Sequence, residues 1–329
     1  MTGEPVKIYY LGSGPISVPV LSGLLAAKEV RVVGIGSQAK ANKPGEPART
    51  KTTPLIRHCE ENGIQLDRIS SVNKPEFHQR LISSGAEMLV VASFGQILKP
   101  ALLEIPRFGC LNVHASLLPK YRGAAPVIAA VLNGDRVTGV TFMQMEAGLD
   151  TGGSYGMFQL EVQEGEKAEA LEMRLGELAG QHIGQVIWDI ARNGLKPVPQ
   201  QEEGVTYVSK VKKEDGIVNW DCDAFHIVNM LAAYSHWPCV RARIPIKNGK
   251  SKVIKIVQAR SVELNCRGSH PGDILAFGRP GILVACNGSA LLIERLIPEG
   301  SREMSAKEYL CGSPIPPERS RMCDFILGD

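Results

Sequence analysis

What most constrains the fold of this chain is the alternation of short apolar runs with helical patterns through its first half. Residues 7–11 form one apolar run, and a helical pattern follows around 18–25. VRVVGIG, residues 30–36, is nearly all apolar, as a strand covered on both faces must be. Helical patterns recur over 54–62 and 74–83, MLVVA (88–92) is another buried strand, and 99–104 is a short helix ending before Pro106. Such alternation predicts an α/β fold built on a mainly parallel sheet with helices on both faces. In open sheets of this kind ligands bind beyond the carboxyl ends of the strands, so chemistry-bearing residues are sought there.

The richest such stretch is 110–153, CLNVHASLLPKYRGAAPVIAAVLNGDRVTGVTFMQMEAGLDTGG. Asn112 and His114 sit two apart on a strand, and period-two alternation puts both side chains on one face. A Pro- and Gly-bearing loop, a helical pattern over 126–132 and a second strand over 137–145 follow, and GLDTGG then presents Asp150 between glycines. If the two strands end side by side, an amide, an imidazole and a carboxylate converge. His114 titrates near neutrality and can donate a hydrogen bond or proton to a polarised carbonyl. Asp150 can fix the imidazole tautomer or take a proton from an attacking amine. Asn112 supplies a neutral donor for the oxyanion of acyl transfer. No Ser, Cys or Lys is presented as a nucleophile, so direct transfer of an acyl-type group to an amine fits better than a covalent enzyme intermediate. Singly, each residue has a plainer role: a structural histidine, a turn-forming aspartate, a strand-ending asparagine. Their order and spacing favour the catalytic role. The earlier loop GSGPIS has Ser17 where a dinucleotide fingerprint needs its third glycine, and Pro15 stiffens it; it reads as a structural turn in a Rossmann-like unit.

NVHASLLPKYRGAAP followed by GVTFMQMEAGLDTGG resembles the signature of the folate-dependent formyltransferases, and within them the methionyl-tRNA formyltransferase family. The resemblance implies 10-formyltetrahydrofolate as donor and Asn112, His114 and Asp150 as the catalytic residues. It implies that Ser116, Leu117, Leu118 and Pro119 lie against the folate, and that Phe94 and Gly95 stand where the family places part of its pocket; Phe94 could flank a pterin there or equally pack in the core. Ala115 stands where the family commonly reads Gly. The segment QAKANKPGEPARTKTTP lacks hydrophobic periodicity and sets Lys40, Lys43, Arg49 and Lys51 against a single acid, Glu46. In the resembling family a basic insertion at this place reaches the acceptor stem of tRNA; Arg49 is taken here as the main contact.

Farther on, 154–160 reads as a strand and 168–193 as the longest helical pattern, ending at Gly194. His182 within it is taken as structural or solvated. Residues 196–206, with prolines among polar residues, are expected to link a catalytic domain, 1–195, to a second domain, 207–329. YVSKVKKEDGIVNW resembles the motif that opens the family's carboxyl-terminal domain, although Ala232-Ala233 replaces an Arg-Ala often found there. A helix over 225–233 and short runs at 253–257, 273–276, 281–285 and 291–296, parted by glycines, predict a small β-barrel; the resemblance implies an OB-like one. The whole chain carries a net charge of only +3, yet between Lys210 and Arg260 ten Lys and Arg face four acids, a difference of +6. That local excess suits a nucleic-acid backbone, with Lys210, Lys212 and Lys213 as candidate tRNA contacts.

At 329 residues two domains are reasonable. Eight cysteines without CxxC or metal-ligand spacing point to free thiols in a reducing cytoplasm and to no metal. With no signal segment or membrane-length apolar run, a cytoplasmic monomer is expected. Two related activities share the same first domain: formyl transfer to a small amine, and hydrolysis of the folate. An RNA-binding module with a vestigial catalytic domain is the alternative from another class.

Overall fold

The computed structural model describes residues 3–38, 52–246, 250–264, 266, 268–313 and 315. Lys40, Lys43, Arg49 and Lys51 lie outside them, as does Lys247. The chain divides into two compact units. The first comprises 1–127, 136–162 and 169–209, and the second 128–135, 163–168 and 210–329. Among the described residues no helix is long and apolar enough to cross a membrane.

The first unit holds a seven-stranded sheet made of β1 (Val6–Gly12), β2 (Val30–Gln38), β3 (Asp67–Ile69), β4 (Met88–Ala92), β5 (Cys110–His114), β7 (Val137–Gln144) and β8 (Ser154–Glu161). A separate two-residue strand, β6, lies at Arg122–Gly123. The sheet order is β3-β2-β1-β4-β5-β7-β8. The first five strands are parallel, as the alternation with helices requires. The β3 strand is too short to show in the apolar pattern.

The helices between these strands begin where the sequence supplies starting signals. Thr53 caps α2 (Pro54–Glu61) by accepting the Ile56 N–H at 3.2 Å, and Pro54 occupies its first turn. Proline also opens α3 (Pro75–Ser83) and α4 (Pro100–Leu103). After α5 (Pro126–Leu132), the long helix α6 (Ala168–Arg192) runs against α1 (Ser17–Ala26) along small residues, and a Cβ on Gly23 would collide with the Gly180 backbone. Below the sheet Tyr9, Phe77, Leu81, Leu89, Phe94 and Leu102 share one buried cluster, with Tyr9 and Phe77 edge to face at 5.5 Å.

One strand departs from the parallel pattern. β7 runs antiparallel to β5, pairing Leu111 with Gln144 and His114 with Thr141, and β8 is antiparallel to β7. The carboxyl ends of β5 and β7 therefore lie at opposite ends of their shared ladder, contrary to the side-by-side arrangement expected.

Residues 196–206, expected as a linker, are bonded into the first unit. Val198 bridges Ser154 through paired backbone bonds of 2.8 Å, and Thr206 receives the Tyr121 N–H on its hydroxyl at 2.7 Å. The two-residue strand β9 (Tyr207–Val208) pairs with β6. Tyr207, placed in the second domain from sequence, thus groups with the first.

In the second unit α7 (Ala224–Ala233) starts on Asp223, which accepts the Phe225 N–H at 2.7 Å. The strands β10 (Val240–Pro245), β11 (Ser251–Val262), β12 (Ile274–Gly278), β13 (Gly281–Ala285), β14 (Ala290–Pro298) and β15 (Met304–Ser305) form an antiparallel sheet. Its order is β10-β11-β14-β13-β12, with β15 on β14. The predicted short strands are there, β11 being much longer than its apolar run.

Candidate active site

His114 ends β5 with its side chain only 5% exposed. Its Nε2 lies 2.9 Å from the carbonyl oxygen of Tyr121. A carbonyl only accepts, so Nε2 carries the proton and Nδ1 of the neutral ring is an open acceptor. Asp150 Oδ2 lies 3.7 Å from Nδ1. That separation is too long for a hydrogen bond but close enough for a strong charge interaction whenever the ring is protonated. The expectation that Asp150 fixes the tautomer is therefore replaced: the backbone of Tyr121 fixes it. Burial pushes the His114 pKa below its ordinary value, outweighing the nearby Asp150 carboxylate and the Tyr121 carbonyl, which both act to raise it. The imidazole is neutral at neutral pH. Asn112, two residues earlier and half-buried on the same strand face, brings an uncharged amide to the same side.

Asp150 reaches this place because the chain after β7 doubles back. The Met145 N–H bonds Cys110 O at 2.8 Å, and the Gln144 N–H bonds Gly153 O at 2.9 Å, closing a loop with Asp150 inside it. Gly152 permits that closure, since a Cβ there would collide with the Gln144 carbonyl. Asp150 adopts a left-handed backbone, φ +53°. For a non-glycine residue this costs about 1 kcal/mol, and aspartate is among those that bear it best. Its Oδ2 accepts the Gly123 N–H at 2.8 Å. Gly123 in turn has no room for a side chain, because a Cβ would strike the carbonyl oxygen of Val208.

Behind Asp150 stands a group with no signal in sequence patterning. Gln200 Nε2 donates to the carbonyl oxygens of both Asp150 and Gly152, each at 2.8 Å. Its Oε1 receives two N–H bonds from the guanidinium of Arg122, Nε at 3.0 Å and Nη2 at 2.8 Å. Arg122 Nη1 bonds the Tyr207 hydroxyl at 3.1 Å, and the whole arginine is only 9% exposed. Arg122 lies inside the quoted motif, but Gln200 lies in the stretch expected to be a linker.

The residues expected to meet the folate are divided. Ser116 is fully buried and its hydroxyl donates to Lys120 O at 2.6 Å, while Thr141 bonds Ser116 O and receives the Leu118 N–H. Leu118 is also buried. Leu117 and Pro119 are half-buried. Of the two roles open to Phe94, the structure shows the packing one: it is 2% exposed within the core cluster. Gly95 is exposed, with φ +84°. Lys210, Lys212 and Lys213 are exposed at the start of the second unit's main segment. Within that unit Arg241 stands directly across from Lys255 on the β10–β11 ladder.

The formyl transferase profile matches residues 7–187, and that of the formyl transferase carboxyl-terminal domain matches 210–314. The chain belongs to the formyl transferase family. Among curated relatives of this formyl transferase, the methionyl-tRNA formyltransferase of Geobacter metallireducens is 34% identical, over 95% of this chain and 97% of that protein. The corresponding enzyme of Aromatoleum aromaticum is 34% identical over 96% of each. Among solved structures, the N-formyltransferase from Helicobacter canadensis in complex with folinic acid and dTDP-3-aminofucose superposes with a TM-score of 0.59. It is 19% identical, over 88% of this chain and 98% of that one. HypX from Aquifex aeolicus in complex with tetrahydrofolic acid gives a TM-score of 0.57 at 15% identity, over 92% of this chain and 46% of that one. At these identities the structural likeness shows the formyl transferase fold.

Proposed function

We propose that this formyl transferase moves the formyl group of 10-formyltetrahydrofolate to the amino group of methionine on initiator methionyl-tRNA. The observation that carries the chemistry is the open Nδ1 of a buried, neutral His114 with Asp150 3.7 Å away. The acceptor follows from the full-length likeness to methionyl-tRNA formyltransferases.

The donor supplies an electrophilic formyl carbon bound to a folate nitrogen. As the methionine amine forms its bond to that carbon, it must lose a proton, and His114 Nδ1 is placed to take it. Asp150 then lies beside an imidazolium and stabilises it without needing to be protonated itself. Asn112 donates to the formyl oxygen as that oxygen gains charge. When the carbon–nitrogen bond to folate breaks, His114 returns the proton to the departing nitrogen. Leu117, Pro119 and Gly95 are left at the surface to meet the folate, with Ser116 and Leu118 shaping the loop from beneath and Phe94 supporting it from the core.

The second unit is assigned to tRNA. Lys210, Lys212, Lys213 and Lys255 are exposed, and exposed cations suit a phosphate backbone. Lys40, Lys43, Arg49 and Lys51 are assigned to the acceptor stem, as the resemblance to the family's basic insertion implies. We assign the protein to the cytoplasm as a monomer, with its free cysteines reduced.

The deciding experiment offers formyl-labelled folate together with charged initiator tRNA, a nucleotide-sugar amine and water. Label should appear on the tRNA. Label chiefly on the sugar amine, or released as formate, would replace this reading with one of the two related activities.

A further inference from the structure

Asp150, if it serves the reaction as proposed above, must be held against two tendencies. Its left-handed backbone is one most side chains avoid, and its loop leaves the sheet at the end of the β5–β7 ladder remote from His114. The loop's own bonds at Gln144 and Met145 anchor only where it begins and ends. Between those points the backbone carbonyls of Asp150 and Gly152 are both taken by one amide, that of Gln200.

The orientation of that amide is dictated by its other end. Arg122 has only donors, so the oxygen of Gln200 must face the guanidinium and the NH2 must face the two carbonyls. The residue that follows Arg122 in the chain, Gly123, holds the Asp150 carboxylate through its N–H. A closed circuit results: Arg122 side chain to Gln200, Gln200 to the Asp150 backbone, the Asp150 carboxylate back to Gly123. Tyr207 completes the seat of Arg122 through its hydroxyl, with the guanidinium 5.7 Å from its ring centroid. The circuit fixes backbone and carboxylate together, so the 3.7 Å approach to His114 follows from it.

We infer that Gln200, oriented by Arg122, is a positioning residue for catalysis: it sets where the Asp150 carboxylate stands relative to His114. No hydrogen bond or ion pair joins either side chain to His114 among the described residues; Gln200 acts through Asp150.

The test uses the full-length protein and three variants, with Asp150→Asn as a reference. Gln200→Met is neutral and close in shape but cannot donate. Gln200→Glu keeps the pairing with Arg122 and loses both donors. Arg122→Lys keeps the charge and loses the fork that orients the amide. An error of about an ångström in placing a reacting group is enough to lower turnover near a hundredfold. Each Gln200 variant should therefore lose about ten- to a hundredfold in kcat, with KM for folate and for charged tRNA changed less than about threefold. Because Asp150 acts to raise the His114 pKa, its displacement in Gln200→Met should move the acid limb of the pH–rate profile to lower pH. Arg122→Lys should show the same pattern in weaker form. Wild-type kcat and an unmoved limb in both Gln200 variants would overturn the inference. So would a loss of activity that only follows the unfolded fraction. An active Asp150→Asn would instead overturn the catalytic reading on which this inference rests.

Discussion

The carbonyl oxygen of Tyr121 accepts the Nε2 proton of His114 at 2.9 Å, and this one bond decides which face of the imidazole is free to react. It leaves Nδ1 toward Asp150 and makes the neutral ring an acceptor there. Tyr121 can hold its carbonyl in this place because its own N–H is bonded to the Thr206 hydroxyl and its backbone is left-handed, φ +63°. The chemistry proposed for the site depends on that arrangement.

Asp150→Asn should lower kcat about a thousandfold and leave thermal stability nearly unchanged. The Tyr121 carbonyl keeps the tautomer in place, so the loss is one of charge. A carboxylate this close to an imidazolium is worth about 4 kcal/mol at an effective dielectric near 20, which is about three orders of magnitude in rate. Asparagine tolerates the left-handed backbone, and its carbonyl oxygen can still accept the Gly123 N–H. Turnover above about a tenth of wild type in the purified variant would make Asp150 a turn residue only.

The buried imidazole makes stability fall on the acid side. In the unfolded chain a histidine titrates near 6.5, whereas burial holds His114 lower in the folded protein. Below about pH 6.5 the unfolded state binds the extra proton first, so stability is full above that pH. It declines as the pH falls toward the folded value. Melting temperatures of wild type and His114→Asn, compared from pH 7.5 downward, should converge or cross as the wild type loses its advantage. A constant difference would mean that His114 does not change its protonation on unfolding.

Replacing Lys40, Lys43, Arg49 and Lys51 together by alanine should raise the KM for charged tRNA and leave the KM for folate unchanged. The four cations occur among two prolines and one glycine with no apolar periodicity, so their removal is not expected to cost core packing. For every phosphate that is no longer neutralised, the log–log salt dependence of tRNA binding should flatten by about 0.9. Identical tRNA titrations for the two proteins would withdraw these residues from the tRNA surface.

A fragment ending at Ser209 should hold its catalytic site better than one ending at Val205. Both lack the second unit's main segment, and with it the partners of 128–135 and 163–168. The shorter one alone lacks Thr206 beneath Tyr121, Tyr207 beside Arg122, and the β6–β9 pairing. The longer fragment should release formate from the folate slowly while formylating tRNA poorly; the shorter should do neither. Equal formate release from the two would show that residues 206–209 do not support the site.

Much of this was legible in the sequence. The apolar run at 88–92 announces a strand buried throughout, because a strand covered on both faces cannot accommodate polar side chains, and the run at 30–36 announces a parallel strand that is less fully covered, with Arg31 exposed. Asn112, His114 and Asp150 stand out through spacing and glycine flanks. The direction of β7 was not legible, since an apolar strand reads alike in either direction; the route by which Asp150 reaches His114 was hidden with it. Phe94 after an apolar strand has the same pattern whether it lines a pocket or fills the core, and packing chose the core. Gln200 gave no signal because a polar residue between prolines and acids looks solvated until its partners, far away in sequence, are seen.

The stretch joining β8 and α6 to the second unit's main segment is therefore unsuited to serve as a crossover point. A chimera that exchanged the second unit's main segment for that of another family member, with its junction anywhere in 196–206, would inherit Arg122 from one parent and Tyr207 from the other. With the junction before Gln200, that residue would be foreign to its guanidinium as well. Junctions placed after Ser209 keep Arg122, Gln200 and Tyr207 from one parent, so recombinants viable at that position and defective upstream of it would show that 196–209 belongs with the first unit.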